Sequence, residues 1–308
     1  MKGFTKICLL LSLICLCIGA VCLGAGVALG SGIKEVWSMV KADELSLSFD
    51  LPYFFTDDDD ADFGNMKKGL VDKKFPAEQV TNLNIDLKYG SINFVDSKSD
   101  QIEIYVDASD KNTYLCELDG DTLDFLDKTS RHIRNAILKG GYKADVTIAI
   151  PEGKIFDEAD LNANAGAVDI VHKISAEKIH IELDAGQLTA ERLSASEEMS
   201  VNIGAGKFEV SDFSAQSLSV DCGIGSASLT GSLLQDADIE CGMGEILLNL
   251  QGRESDYNYD VDCDLGSVYL NGNEYRSISL EKEIDNDAER DINLKCGMGN
   301  IDVTVKEE

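Results

Sequence analysis

One short phrase occurs five times between residues 159 and 248, and it constrains the fold more than any other feature of the chain. The copies share a glycine, and successive glycines are separated by 20, 20, 19 and 19 residues. A unit this small cannot bury an apolar face alone, so the fixed period predicts a stack of repeats, a solenoid. The phrases are LNANAGAVDI, IELDAGQLTA, VNIGAGKFEV, VDCGIGSASL and IECGMGEILL, with the shared glycines at Gly166, Gly186, Gly206, Gly225 and Gly244.

Apolar and polar residues alternate within each copy, and a period of two is typical of strands. The apolar positions lie five and three residues before the shared glycine and two and four residues after it. Each copy is therefore predicted to be two short strands joined at a glycine corner. Copies stacked in parallel about 4.8 Å apart would place like residues in ladders, with the apolar ladders inside. We expect the glycine to supply the backbone conformation that the corner requires.

Three further copies extend the repeat in both directions. They are NIDLKYGSINF around Gly90, VDCDLGSVYL around Gly266 and, after an insertion that holds EKEIDNDAERD, LKCGMGNIDV around Gly299. The sequence thus predicts an all-β fold, a parallel β-solenoid with rungs of about 20 residues at residues 81–308. Residues 97–157 depart from the repeat and are predicted to form an insert of strands with one short helix in SRHIRNAILKGG. This insert is expected to cover one end of the solenoid and protect its strand edges.

The N-terminal region indicates a membrane anchor. Residues 7–33 hold no charged side chain, and this length suffices for a transmembrane helix. Lys2 and Lys6 place residues 1–6 in the cytoplasm and the large domain outside, so the predicted location is the cell membrane, single-pass. Cleavage as a signal peptide near Ala28 or Gly30 is the alternative.

Residues 34–80 are interpreted as an acidic juxtamembrane connector that contains DDDDAD. This run does not match a calcium-binding loop, because Phe63 stands where the loop requires glycine.

Net charge excludes one class of partner. The chain carries 27 Lys and Arg against 56 Asp and Glu, which gives a net charge of -29. Such a field repels phosphates, so nucleic acid is not an expected partner, whereas cations and basic proteins are attracted.

Four cysteines, Cys222, Cys241, Cys263 and Cys296, each stand three residues before a corner glycine. A ladder on neighbouring rungs would hold them close enough for disulfides, although parallel Cβ vectors about 4.8 Å apart suit buried free thiols better. Disulfides remain the alternative. A zinc site requires ligands from several directions, which a single row does not provide.

Outward acids form a candidate cation site. Asp221, Glu240 and Asp262 each stand four residues before a corner glycine, and on adjacent rungs they would stack and repel one another. Ca²⁺ could relieve that repulsion, since calcium prefers such oxygen ligands, and solvation with salt screening is the alternative. No other cofactor is indicated.

No catalytic motif is recognisable. The three histidines, His132, His172 and His180, lack the spacing of a known catalytic or metal motif. The recurring GIG and GMG pairs fall at the corners of the repeat, and no nucleophile elbow or phosphate-binding loop is present.

The strand ending in IAIPEG, followed by the glycine-cornered phrases behind one anchor, resembles a bacterial family. It is the "putative adhesin" family of β-strand-repeat proteins, whose domain of unknown function is called Toastrack, and the resemblance covers about residues 81–308. The resemblance implies a membrane-tethered extracytoplasmic domain in a family associated with cell-envelope stress systems. It implies no catalytic residues.

Three functions are compatible with these observations. The first is a non-enzymatic, membrane-anchored cell-surface scaffold or adhesin that presents an acidic face to a cell-surface partner. The second is an envelope-stress sensor that couples its anchor to partner membrane proteins. The third is an enzyme that acts on polysaccharide along one solenoid face.

Overall fold

The computed structural model of the protein describes residues 69–108, 114–128, 144–276 and 279–307. In these ranges it has 21 strands and two 3₁₀ turns, Ala77–Gln79 and Glu254–Asp256. The predicted membrane span at residues 7–33 and the predicted helix within residues 130–141 lie outside the described residues. Within the described ranges, no helix combines the length and the apolar character needed to cross a membrane. The prediction of an all-β, solenoid-like fold is confirmed.

The strands follow one another along the chain with short connections. The first seven are β1 (Gly69–Pro76), β2 (Asn82–Leu87), β3 (Ser91–Ser97), β4 (Gln101–Ala108), β5 (Tyr114–Asp119), β6 (Thr122–Asp127) and β7 (Ala144–Pro151). The next eight are β8 (Ile155–Ala163), β9 (Ala167–Ile170), β10 (Ile174–Leu183), β11 (Gln187–Ile203), β12 (Lys207–Cys222), β13 (Ser226–Leu233), β14 (Ala237–Cys241) and β15 (Glu245–Gln251). The last six are β16 (Asn258–Cys263), β17 (Ser267–Leu270), β18 (Asn273–Tyr275), β19 (Leu280–Ile284), β20 (Asp291–Cys296) and β21 (Asn300–Lys306).

The glycine corner divides every rung into two faces. Face A consists of the strand segments before the corner, in the order β5–β6–β2–β8–β10–β11–β12–β14–β20–β16–β19. Face B consists of the segments after it, in the order β1–β4–β7–β3–β9–β11–β12–β13–β15–β21–β17–β18. Long strands such as β11 and β12 run through a bulge from face B into face A of the next rung. From the corner at Gly166 to the corner at Gly244, the rungs therefore wind in chain order as a parallel coil.

Apolar side chains from both faces fill the interior. The four inward positions read from the sequence are all buried, for example Ile181, Leu183, Leu188 and Ala190 in one rung. Each stands directly over its counterpart, since Ile181 pairs with Val201 in the next rung. The predicted ladders are thus correct in register, and they form one apolar core along the stack.

Antiparallel strands close both ends of the coil. At the N-terminal end, β5 pairs with β6, and β1 and β4 extend face B. At the C-terminal end, β19 covers β16 and β18 covers β17. The described strands of the predicted insert, β4 to β7, therefore lie at the N-terminal end of the stack. The folded sheet, however, begins at Gly69 and not at residue 81, because β1 pairs with β4 along its whole length. The assignment of residues 69–80 to a connector is wrong.

The order of the last two rungs differs from their order in the chain. β14 pairs with β20, and β20 pairs in turn with β16. On face B, β21 lies between β15 and β17 in the same way. The rung around Gly299 is therefore inserted between the rungs around Gly244 and Gly266. The C-terminal strand is held by neighbours on both sides.

The corner glycines are required for a reason other than the one expected. Of the eight, only Gly90 has a left-handed backbone, with φ 110°. At Gly206 an added Cβ would lie 2.5 Å from the carbonyl oxygen of Gly186 in the preceding rung. The same oxygen accepts a hydrogen bond of 3.0 Å from the backbone N–H of Lys207. Glycine is needed because the backbones of successive rungs approach closely here, and not because of its conformational freedom.

Tyrosine side chains close the interior at the C-terminal end. Tyr257 and Tyr259 are buried, and their hydroxyls donate hydrogen bonds to the carbonyl oxygens of Leu233 (2.9 Å) and Glu254 (3.1 Å). The guanidinium carbon of Arg290 lies 4.6 Å from the centre of the Tyr257 ring. Burial raises the pKa of Tyr257 above its ordinary value, and the nearby Arg290 charge opposes only part of this shift. The tyrosines thus shield the last apolar layer and keep their hydroxyl groups paired.

Candidate interaction surface

The outer side of face A carries three parallel rows of polar side chains. Because strand residues alternate between two sides, the rows stand four, six and eight residues before each corner glycine. In spatial order the first row is Asp86, Asn162, Glu182, Asn202, Asp221, Glu240, Lys295 and Asp262. The second row includes Asp160, His180, Asp238 and Asp260, and the third includes Glu158, Lys178, Glu198, Asp236 and Asp291. Acidic side chains therefore outnumber basic ones on the outer side of face A, and the remaining row positions are Asn or Ser, including Ser200, Ser217 and Ser219 in the middle rungs.

Asparagine side chains donate hydrogen bonds to carboxylates on neighbouring rungs of face A. Asn84 donates a hydrogen bond of 2.6 Å to Asp124, and Asn293 donates one of 2.8 Å to Asp238. Such bonds hold carboxylates in register on neighbouring strands. Toward the N-terminal end, partial burial raises the pKa of both Asp86 and Asp160 above the ordinary range of an aspartate. The rows are ordered arrays, with spacing fixed by the rungs.

The predicted cation ladder is not present. Asp221 does lie beside Glu240, but the neighbour of Glu240 on its other side is Lys295, and Asp262 lies beyond that lysine. The prediction failed because it assumed that rungs stack in chain order. With a positive charge between the second and third carboxylates, the three acids cannot bind one Ca²⁺ ion. In the described ranges, no three His, Cys, Asp or Glu side chains are grouped so as to hold a metal ion.

The cysteine ladder exists, but its order is Cys222, Cys241, Cys296 and Cys263. All four are buried and free, as the free-thiol interpretation predicted. Burial raises the pKa of Cys263 to about 11, and the neighbouring Cys222 sulfur together with burial raises the pKa of Cys241. With their raised pKa values, Cys241 and Cys263 are protonated at neutral pH and act as small apolar side chains, whereas the hydrogen bond with Cys241 lowers the pKa of Cys222.

The cysteine sulfurs also pack against the corner glycines of the next rung. A Cβ added at Gly299 would lie 2.6 Å from the Cys241 sulfur, and one added at Gly266 would lie 2.5 Å from the Cys296 sulfur. Cysteine and glycine therefore fit one another across the rungs, and both serve the fold.

Sequence reasoning missed the residue that directly precedes the corner glycine in the GIG and GMG corners and in the DLG corner of Gly266. It is apolar and exposed on four successive rungs. Ile224 is 59% exposed, Met243 53%, Met298 59% and Leu265 61%. We call this row the corner ridge. The sequence does contain a signal for this row, namely a change from alanine to a large apolar residue at one position of the repeat. The earlier rungs have Ala165, Ala185 and Ala205 at that position.

The histidines do not converge on a catalytic centre among the described residues. His172 is buried at a bend that follows face B, and its Nδ1 contacts the carboxylate of Asp96. His180 lies on face A beside Asp160, while His132 lies outside the described ranges. The Asp96–His172 pair joins two neighbouring rungs and is accounted for by that structural role.

The chain shows distant similarity to several solved structures. A search of curated proteins gives no match. Among solved structures, a "putative lipid binding protein" from Parabacteroides distasonis shares 15% identity, with 76% of this chain and 96% of the other covered and a TM-score of 0.44. A "putative adhesin" from Bacteroides fragilis shares 12% identity over 78% and 98% of the two chains, with a TM-score of 0.38. A "putative cell adhesion protein" from Clostridium sporogenes shares 12% over 78% and 100%, with a TM-score of 0.31.

The family model described as Toastrack DUF4097 matches residues 80–289, which is more than half of the chain. The matched range begins next to β2 and runs through the parallel rungs to the insertion before β20. The chain therefore belongs to the Toastrack DUF4097 family.

Proposed function

We propose that the protein is a non-enzymatic binding module of the cell surface, an adhesin or envelope scaffold that engages a basic partner through the outer side of face A. The observation that carries this proposal is the excess of acidic over basic side chains in the three rows of face A. A single exposed charge pair contributes little to the free energy of binding, but a partner that spans several rungs makes many equivalent contacts at once. The net charge of -29 attracts such a partner from a distance.

The N-terminal segment supports a location at the membrane. Residues 7–33 are uncharged and apolar over a length that can span the hydrocarbon core. With Lys2 and Lys6 on the cytoplasmic side, such an anchor would leave the acidic coil outside the cell. Protease protection of the full chain in intact cells tests this arrangement: digestion of the coil from outside supports it, and full protection refutes it.

Two matched sets of substitutions test the binding face. The first removes three acids from face A (Asp221→Asn, Asp238→Asn and Glu240→Gln), and the second removes three from the outer side of face B (Asp169→Asn, Glu209→Gln and Asp302→Asn). Both sets change the net charge equally. Retention of the full chain on immobilised polylysine should weaken more for the first set than for the second, because only face A forms an extended acidic array. Equal weakening by both sets would show that net charge alone drives the interaction.

A further inference from the structure

The four side chains of the corner ridge are adjacent in space. The backbone N–H groups of Met243 and Met298 each donate a hydrogen bond of 2.7 Å to a glycine carbonyl of the preceding rung, and that of Leu265 donates one of 2.8 Å. The ridge residues thus follow one another rung by rung, in the order Ile224, Met243, Met298 and Leu265. Three steps of about 4.8 Å make the ridge roughly 14 Å long.

The fold does not need large apolar side chains at these positions. Ala165, Ala185 and Ala205 occupy the same corner position in the preceding rungs, and the coil is continuous through them. More than half of the surface of each ridge residue is exposed, so most of its apolar surface remains in contact with solvent after folding. A contiguous row of apolar residues on a solvent-exposed surface is typical of an interaction site. Methionine side chains also adapt readily to the shape of a partner.

The charges beside the ridge decide between occupants. The residues three before the ridge residues, in the adjacent row of face A, are Asp221, Glu240, Lys295 and Asp262, and Asp264 directly precedes Leu265. Four carboxylates and one ammonium group thus flank the ridge. A second copy of the chain would bring the same carboxylates opposite one another, and an anionic membrane would be repelled. The surroundings therefore favour an apolar partner surface flanked by basic side chains.

Rung spacing indicates the form of that partner. One α-helical turn rises 5.4 Å, which is close to the 4.8 Å between rungs, so a helix lying along the ridge can place one apolar side chain near each ridge residue. We propose that the corner ridge docks a basic amphipathic α-helix of a partner protein, with its Lys and Arg side chains against the carboxylates of face A. This proposal rests on the proposed function, in that it assigns the partner class and the contact line of the same acidic face.

A designed helix provides the probe. It is a synthetic peptide of about five turns (~18 residues) with leucine along one stripe and lysine elsewhere, and its control is a scrambled peptide of the same composition and charge. The full chain, purified in detergent, should bind the patterned peptide more tightly than the scrambled one. The double variant Met243→Ser and Met298→Ser should weaken the patterned peptide about tenfold, as loss of half the apolar contact predicts. Leu234→Ser is the matched control, because Leu234 is 60% exposed but lies away from the ridge. An unchanged melting temperature verifies that each variant folds.

The outcomes separate the two proposals. Retention on polylysine should survive the double serine variant, because the acids of face A remain. If the variant binds the patterned peptide as tightly as the unmodified chain, the ridge proposal is overturned while the acidic binding face stands. If the unmodified chain self-associates, or binds vesicles of anionic lipid, and the double variant does not, the occupant is a second copy or a membrane and the helix proposal is likewise overturned.

Discussion

Cys241 lies opposite Cys296 and not opposite Cys263, although Cys263 comes first along the chain. The rung that ends the chain is therefore the penultimate layer of the coil, and the rung that precedes it in sequence forms the outer layer. This exchange places Lys295 within the acid row and Met298 within the corner ridge. It also covers the edges of the C-terminal strands on both sides, which leaves only the short, charged strands β18 and β19 at that end.

The close approach of successive backbones makes the corner glycines sensitive to a single methyl group. We expect Gly206→Ala to lower the free energy of unfolding by about 1–3 kcal/mol, the usual cost of overpacking, because its Cβ would meet the Gly186 carbonyl oxygen. Urea denaturation of the full chain measures this. Ala205→Ser changes the neighbouring exposed residue of the same corner and should alter stability little. Equal stability of Gly206→Ala and the unmodified chain would contradict the close approach.

At the first corner of the coil, the buried carboxylate of Asp127 accepts hydrogen bonds of the kind that backbone carbonyl groups accept at the later corners. Asp127 accepts hydrogen bonds of 3.2 Å from the backbone N–H groups of Lys88 and Tyr89, whereas in the next rung the N–H of Ala165 donates to the Lys88 carbonyl at 3.1 Å. Asp127→Ala should lower the free energy of unfolding by about 1–3 kcal/mol, since it leaves two partly buried N–H groups without this acceptor.

Thermal unfolding compares that variant with Asp121→Ala, which removes an exposed carboxylate of the adjacent turn and should have a small effect. An equal loss of stability in both variants would mean that the hydrogen bonds accepted by Asp127 at this corner do not stabilise the fold.

Buried thiols make stability depend on pH in the alkaline range. Burial raises the pKa of Cys263 and of Cys116 to about 11, while an unfolded thiol titrates near ~8.5. Between these values the unfolded chain binds fewer protons than the folded one, so the free energy of unfolding falls as pH rises. Other groups titrate in this range, so the double variant Cys263→Ala and Cys116→Ala provides the comparison. Its stability should fall less steeply between pH 9 and pH 11, and an identical slope would contradict the burial of these thiols.

The sequence determined the repeat unit and the inside of the coil, because burial imposes the same apolar pattern on each rung. Every inward position read around Gly186 and Gly206 is buried as predicted. The order of the rungs could not be read in the same way, since the phrases around Gly266 and Gly299 present equivalent apolar ladders, and either can stack on the rung around Gly244. The insertion between them supplies the chain length for the exchange.

Two other features depended on information that a single rung does not contain. The segment of β1, GLVDKKFP, lacks the repeated phrase, and its place in the sheet follows from antiparallel pairing with β4. The role of the corner glycines depends on the distance between neighbouring backbones, which only the stacked coil defines. The candidate site was predicted in part: the acidic side of face A was recognised, whereas the corner ridge and the place of Lys295 required the rung order.

The rung order can be measured directly with pairs of exposed cysteines and a short reagent that bridges two thiols. Three double variants are compared: Glu240→Cys with Lys295→Cys, Lys295→Cys with Asp262→Cys, and Glu240→Cys with Asp262→Cys. The full chain of each variant is treated with the reagent and digested, and the bridged peptides are identified by mass spectrometry. The first two pairs should be bridged efficiently, because their strands are hydrogen-bonded neighbours. The third should not, since two rung steps separate its members by about 9.6 Å. Efficient bridging of Glu240→Cys to Asp262→Cys, with none to Lys295→Cys, would contradict the inserted rung, the interrupted acid row and the corner ridge together.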